Sequence, residues 1–238
     1  PWPGADPPAA VVRPGVPSGE TLRINGVRAL LGVGTSTCFF YALGVLPLAE
    51  TLALSFLAPI FMALFAAAFL KERVDGRIFI ALALGFIGMA VIVGGKMGGG
   101  WDGSAWGVAA ALASAVTYAL SMVLLRARAK HDPVVTIVAI QNIGPAILLA
   151  APAAAVWVPP TASDWGLFML IGAMGVTGHL LLARAFARAE AARLAPLEYT
   201  SLIWAVGLGF VFFGEVPGLA TLGGSFLIVI GAAVATRR

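Results

Sequence analysis

The sequence predicts an all-α membrane protein, a polytopic bundle of about eight transmembrane helices. Three observations carry that reading. Of 238 residues, 60% are hydrophobic and only 11% charged, and the mean hydropathy of +0.97 exceeds what a water-facing surface tolerates. The apolar stretches repeatedly reach the roughly 20 residues that a helix needs to cross about 30 Å of hydrocarbon. They are also continuously apolar, whereas a barrel would alternate polar and apolar positions over segments of about ten residues.

In chain order, residues 1–21 carry Pro1, Pro3, Pro7, Pro8, Pro14 and Pro17 among scattered Gly and Ser, and read as a flexible tail. The tail has no apolar stretch led by Arg or Lys, so it is not a signal peptide. Its opening on Pro instead of Met suggests a processed, engineered or incomplete chain. Spans are then expected at 26–46, 48–70, 77–95, 104–125, 133–156, 164–186, 193–213 and 217–236. Ala81 with Gly85, and Ala111, Ala115 and Ala119, repeat small residues every fourth position, which lets helices approach closely in lipid. Pro59 and Pro145 fall inside spans and are expected to bend them, freeing backbone carbonyls. The glycines around Lys96 lack the spacing of a phosphate cradle and read as a linker.

Charge placement orients the bundle, because cytoplasmic loops collect Lys and Arg. Starting inside and alternating through eight spans puts Arg13, Arg23, Arg28, Lys71, Arg73, Arg77, Arg126, Arg128, Lys130, Arg184, Arg188, Arg193, Arg237 and Arg238 on the cytoplasmic face. Only Lys96 falls outside, and a missed or invented span would invert every later loop. Both termini are therefore expected in the cytoplasm of a cell with this chain in its inner (plasma) membrane. The pI near 9.7 reflects these clusters and not one basic stripe, so nucleic acid is not an expected partner. Membrane lipid and a small-molecule substrate are, and the sequence leaves a homodimer open.

Cys38 is the single cysteine, so neither an intrachain disulfide nor a Cys-based metal site can form. No paired His at metal spacing, phosphate loop or nucleophile elbow occurs, so no metal, cofactor, ATP-driven pump or enzyme is expected.

Sliding the chain on itself by 143 positions aligns residues 42–93 with 185–236 without a gap, pairing Ala49 with Ala192, Leu54 with Leu197, Glu72 with Glu215 and Gly88 with Gly231. The loop at Glu72 lies inside and that at Glu215 outside, so the copies point in opposite directions. Inverted repeats are an architecture on which secondary transporters build two alternating states.

Several segments resemble one family. Leu46-Pro47-Leu48-Ala49-Glu50-Thr51 leading to Ser55-Phe56-Leu57-Ala58-Pro59, Lys71-Glu72-Arg73, Gly178-His179-Leu180-Leu181-Leu182-Ala183-Arg184-Ala185-Phe186, Ala195-Pro196-Leu197-Glu198-Tyr199-Thr200 and Phe213-Gly214-Glu215 are similar to EamA-type members of the drug/metabolite transporter superfamily. The resemblance covers nearly everything after residue 22. It implies a carrier of small metabolites, often an exporter of amino acids or related compounds, built from ten helices in two inverted halves of five. Against that pattern the first two helices are absent here: residues 22–95 correspond to three helices of the first repeat and 104–238 to all five of the second. An eight-helix membrane partner without transport is the alternative.

Polar groups in hydrocarbon are expensive and mark a cavity or a partner. At about 1.5 Å per residue, Tyr118, Gln141, His179 and Glu198 lie about 8 to 12 Å from the cytoplasmic ends of their spans, in one layer. With Asn142, Tyr199, Ser55 and Trp204 as neighbours they form the candidate substrate site. Glu198 is the only carboxylate well inside a span, and burial disfavours its charge, which suits a proton or cation site. It also follows Pro196 near a helix start, where Arg193 could pair with it. His179 suits proton coupling, or a neutral interhelical hydrogen bond. Gln141 and Asn142 suit a zwitterion or interhelical contacts, and Tyr118, Tyr199 and Trp204 suit a stacked substrate or the interfacial belt. Glu50, Glu72 and Glu215 at loop ends read as solvated anchors or local ion pairs, Glu72 with Lys71 or Arg73.

Overall fold

A computed structural model describes residues 17–46, 48–94, 105–214 and 218–236, and it is helical almost throughout. The first helix, α1 (Gly19–Val45), starts inside the expected tail because Ser18 caps it, accepting the Thr21 N–H at 3.1 Å with Glu20 in the first turn. The rod expected over 48–70 is interrupted, as α2 (Leu48–Ser55) and α3 (Ala58–Leu70) flank a break at Phe56 and Leu57. Pro59 has no N–H for the Ser55 carbonyl four residues earlier, so the ladder stops and restarts. α3 closes on Lys71 in a left-handed conformation, φ +55°, whose N–H returns to the Ala66 carbonyl.

α4 (Gly76–Gly94), α5 (Ala105–Ala129), α6 (Val134–Ala155) and α7 (Ala162–Arg188) follow. α6 continues through Pro145 and Pro152 as one helix. The rod expected over 193–213 is again broken: α8 (Ala191–Leu194) passes through a 3₁₀ turn at Ala195–Tyr199, with Pro196 near its start, into α9 (Thr200–Phe213). α10 (Leu219–Thr236) is the last. Among the described residues α1, α5, α6 and α7 are long and apolar enough to cross a membrane, and parts of α3, α4 and α10 are shorter apolar helices. The expected contents of residues 95–104 and 215–217, with Lys96 and Glu215, lie outside the described residues.

The 143-residue offset holds in three dimensions and reaches further back than the aligned sequences. It carries Gly19–Val45 onto Ala162–Arg188 end to end, and the Ser18 cap onto Thr161, whose hydroxyl likewise caps α7. It also brings the C-terminal end of α3 onto that of α9 and the start of α4 onto that of α10.

α4 and α10, mates under this offset, form the most extensive helix pairing in the bundle. A Cβ at Gly88 would stand 2.6 Å from the Gly224 carbonyl oxygen, and one at Gly231 would stand 3.0 Å from the Ala81 carbonyl oxygen. The offset turns the first contact into the second, as a two-fold axis between the helices requires. Rising numbers on α4 meet falling numbers on α10, so the mates run antiparallel, the signature of inverted copies. Only Gly allows the backbones this near.

α5 packs against α1, α2, α3, α6, α7 and α8, with Ala111, Ala115 and Ala119 at most 1% exposed. Glu72 corrects its sequence reading: it pairs with neither Lys71 nor Arg73 but with Arg126 of α5 at 2.9 Å, nearly buried. Its other oxygen accepts the Ala192 N–H of α8 at 3.2 Å, and Arg126 donates to the Phe186 carbonyl of α7 at 2.6 Å. One loop carboxylate thus ties α5, α7 and α8 together.

Candidate functional site

The two helix breaks meet. Phe56 in the first break and Tyr199 in the second, mates under the 143 offset, stack at 6.1 Å between ring centroids and 27° between planes. Tyr199 is fully buried and its ring lies where a Cβ on Gly85 would be, so that glycine is required by close approach.

Beside this pair opens a cavity of about 290 Å³. Its polar lining comes from Thr35 and Ser36 of α1, Ser55 at the end of α2, Ser114 and Tyr118 of α5, and Glu198 of the 3₁₀ turn. Ser55 and Glu198 are again repeat mates, so each break delivers one polar side chain to the same space. Phe39, Phe40, Leu52 and Phe56 supply apolar walls. The Tyr118 hydroxyl donates to Glu198 Oε1 at 3.0 Å. Arg193, the expected partner of Glu198, instead pairs with Glu190 at 3.1 Å. A carboxyl with one phenol donor and apolar surroundings can exchange a proton or accept a cationic group, and the volume accommodates a small metabolite.

The single layer inferred from depth divides in two. Tyr118, Glu198 and Ser55 share the larger cavity, with Tyr199 against it. Gln141 and His179 line a second, smaller cavity between α1, α5, α6 and α7, and Asn142 hydrogen-bonds His179 at 3.3 Å. Trp204 joins neither and is 71% exposed on α9. The Tyr199 hydroxyl is buried without a hydrogen-bond partner.

Arg28 is the residue that sequence reasoning missed. Counted as a cytoplasmic loop cation, it sits inside α1, 2% exposed, and lines the smaller cavity. Its position within the helix that Ser18 starts was the available signal. Among the described residues no three His, Cys, Asp or Glu side chains gather as a metal site.

Comparison with known proteins places this architecture. The EamA-like transporter family matches residues 8–94 and 105–237. The chain belongs to the EamA-like transporter family. Among its relatives, the pseudopaline exporter CntI of Pseudomonas aeruginosa is 30% identical over 215 residues, 89% of this chain and 74% of that protein. The S-adenosylmethionine uptake transporter of Rickettsia bellii is 24% identical over 87% of this chain and 69% of its own length. A riboflavin transporter of Rhizobium johnstonii is 30% identical over 85% and 65% respectively. A solved crystal structure superposes with a TM-score of 0.76 at 25% identity, covering 93% of this chain and 79% of the other. For a member of this transporter family, breaks at repeat-equivalent positions beside a cavity that holds a carboxyl are the places to look for cargo.

Proposed function

We propose that this EamA-like protein is a secondary active transporter that exports a small organic metabolite, such as an amino acid or related compound. The cavity between the two broken rods is its substrate site, and Glu198 is the group that binds cargo or proton. The observation that carries this reading is the delivery of Ser55 and Glu198 by symmetry-related breaks to one cavity in which Tyr118 holds Glu198. Rocking of residues 22–95 against 104–238, as two unequal repeats, would open the cavity to either face in turn. Any coupling comes from the difference in binding between those states. Both termini then face the cytoplasm of the inner membrane. The names of the relatives describe export in one case and uptake in another, so vesicles of both orientations test the proposed direction.

The test is a metabolite screen with the protein reconstituted in vesicles of both orientations, with and without a proton gradient, followed by Glu198→Gln. The variant should remain folded in the membrane while transport falls to the level of protein-free vesicles. Unchanged transport removes Glu198 from the mechanism, and absence of transport for every compound favours a non-transporting membrane partner.

A further inference from the structure

The smaller cavity holds a chemistry that the larger one does not. Arg28 projects from α1 into a volume of about 30 Å³ lined also by Met122, Ile137, Gln141, His179 and Leu182. By the usual requirement of about 10–15 Å³ per water-sized probe, that is room for a pair of oxygens, too little for a whole metabolite.

The guanidinium is anchored along one side. Nε donates to the Ser121 carbonyl at 3.1 Å and Nη1 to Asn25 Oδ1 at 2.9 Å. These contacts fix its plane and leave the edge formed by Nη1 and Nη2 for another acceptor. No carboxylate lies within ion-pair distance of Arg28 among the described residues: Asp132, reached only through Asn25, is already bonded to Arg128 and Thr21. A buried cation without an anion is costly, so the site is matched to a negative charge that the described residues do not supply.

Two further groups face the same space. Gln141 Oε1 is buried with no hydrogen-bond partner, and its amide can turn to present either oxygen or nitrogen. Asn142 Nδ2 donates to the Val138 carbonyl at 2.8 Å, which fixes that amide, so its contact with His179 Nδ1 makes the ring nitrogen an acceptor. His179 then carries its proton on Nε2, its remaining donor.

We propose that Arg28, Gln141 and His179 form a recognition site for a single carboxylate group. A planar two-oxygen anion matches the free edge of a guanidinium better than a point charge does, and the volume suits one such group. The site exists in one repeat only, because the mate of Arg28 is Ile171, 65% exposed on α7. It lies on the faces of α1 and α5 that also line the Glu198 cavity, about two turns or ~10 Å away. The carboxylate comes either as the head of a larger molecule or as a free small anion. Binding is separable from transport, so this inference stands or falls apart from the carrier reading.

The experiment follows thermal unfolding of the full chain in lipid nanodiscs with sodium acetate, against sodium chloride at equal ionic strength. Acetate should raise the unfolding temperature by several degrees over chloride. Gln141→Leu, which removes a buried amide oxygen that lacks a partner, should stay folded without acetate and should lose most of the acetate shift. Arg28→Gln should lose all of it. Repeating the titration with benzoate separates the sources: a matching shift means that the head of a larger molecule enters, and a shift with acetate alone means a free small anion. Equal shifts with acetate and chloride, no shift with either, or a full acetate shift in Gln141→Leu overturns the proposal.

Discussion

α1 and α7 are the same helix in two copies, equal in length and capped alike, yet α1 is packed along one face while most of α7 is bare. α1 lies against α5 and α6. A Cβ at Gly32 would stand 2.8 Å from Gln141 Nε2, Ala29 faces Gly144 at the same spacing, and Thr35 and Thr117 share a hydrogen bond of 2.8 Å. The mates of Ala29, Gly32 and Thr35 on α7 are Gly172, Gly175 and Gly178, and a Cβ at any of them would meet open space. Ile171 and Met174 beside them are 65% and 67% exposed. Among the described residues α7 is held along its C-terminal part, through the contact of His179 with Asn142, buried Ala183 and Phe186, and the bond from Arg126 to the Phe186 carbonyl. The lesson is that the repeat sets the helix while its neighbours set its burial: a small-residue seam serves packing only where another helix fills it.

The difference between α1 and α7 depends most on the anchor of α7. Glu72→Gln leaves Arg126 buried without its anion and should cost about 3–5 kcal/mol. Hydrogen exchange should then rise along the C-terminal turns of α7 far more than along α1. Equal loosening of both helices would mean that α7 is held elsewhere.

A smaller effect separates the two seams directly. Gly32→Leu forces a side chain into Gln141 and should destabilise by about 1–3 kcal/mol, whereas Gly175→Leu should stay within about 0.5 kcal/mol. Both are read from thermal unfolding in nanodiscs. Comparable losses would show that something packs on α7.

The smallest effect concerns the first turns of α1, which Asp132 clamps from the α5–α6 turn by accepting from Thr21 at 2.9 Å and Asn25 at 3.1 Å. Burial pushes the Asp132 carboxyl up, but hydrogen bonds from Arg128, Thr21 and Asn25 and the Arg128 charge outweigh it and hold the group below its ordinary value. Its stabilising share is therefore complete above the unfolded value of about 3.9 and is lost as pH falls through the lower folded value. The stability gap between wild type and Asp132→Asn should be constant from about pH 7 to 5 and close below about pH 4. A gap that persists in acid would mean that the clamp does not depend on the charge.

Much of the fold was legible because hydropathy length, Pro59 and the Gly88–Gly231 identity are local or periodic signals, whereas the break at Pro196 was read as a helix start. The pairings of Glu72 with Arg126 and of Arg28 with Ser121 were not, since both depend on which helices pack side by side. A charge near a span end reads as topology until a neighbour buries it. The site was half legible for a related reason: depth along a span fixes one coordinate of a side chain, not its position around the bundle. Tyr118 and Glu198 share depth and cavity, whereas Gln141 and His179 share depth but line another.

Under the proposed function the cavity between the two breaks faces each side of the membrane in turn. This is tested most directly by changing Cys38 to Ser, placing a cysteine at Ser55, and applying a membrane-impermeant thiol reagent to vesicles from either face. Modification is expected from both faces, with substrate shifting the balance between them. Modification from one face only, under every condition, would contradict it.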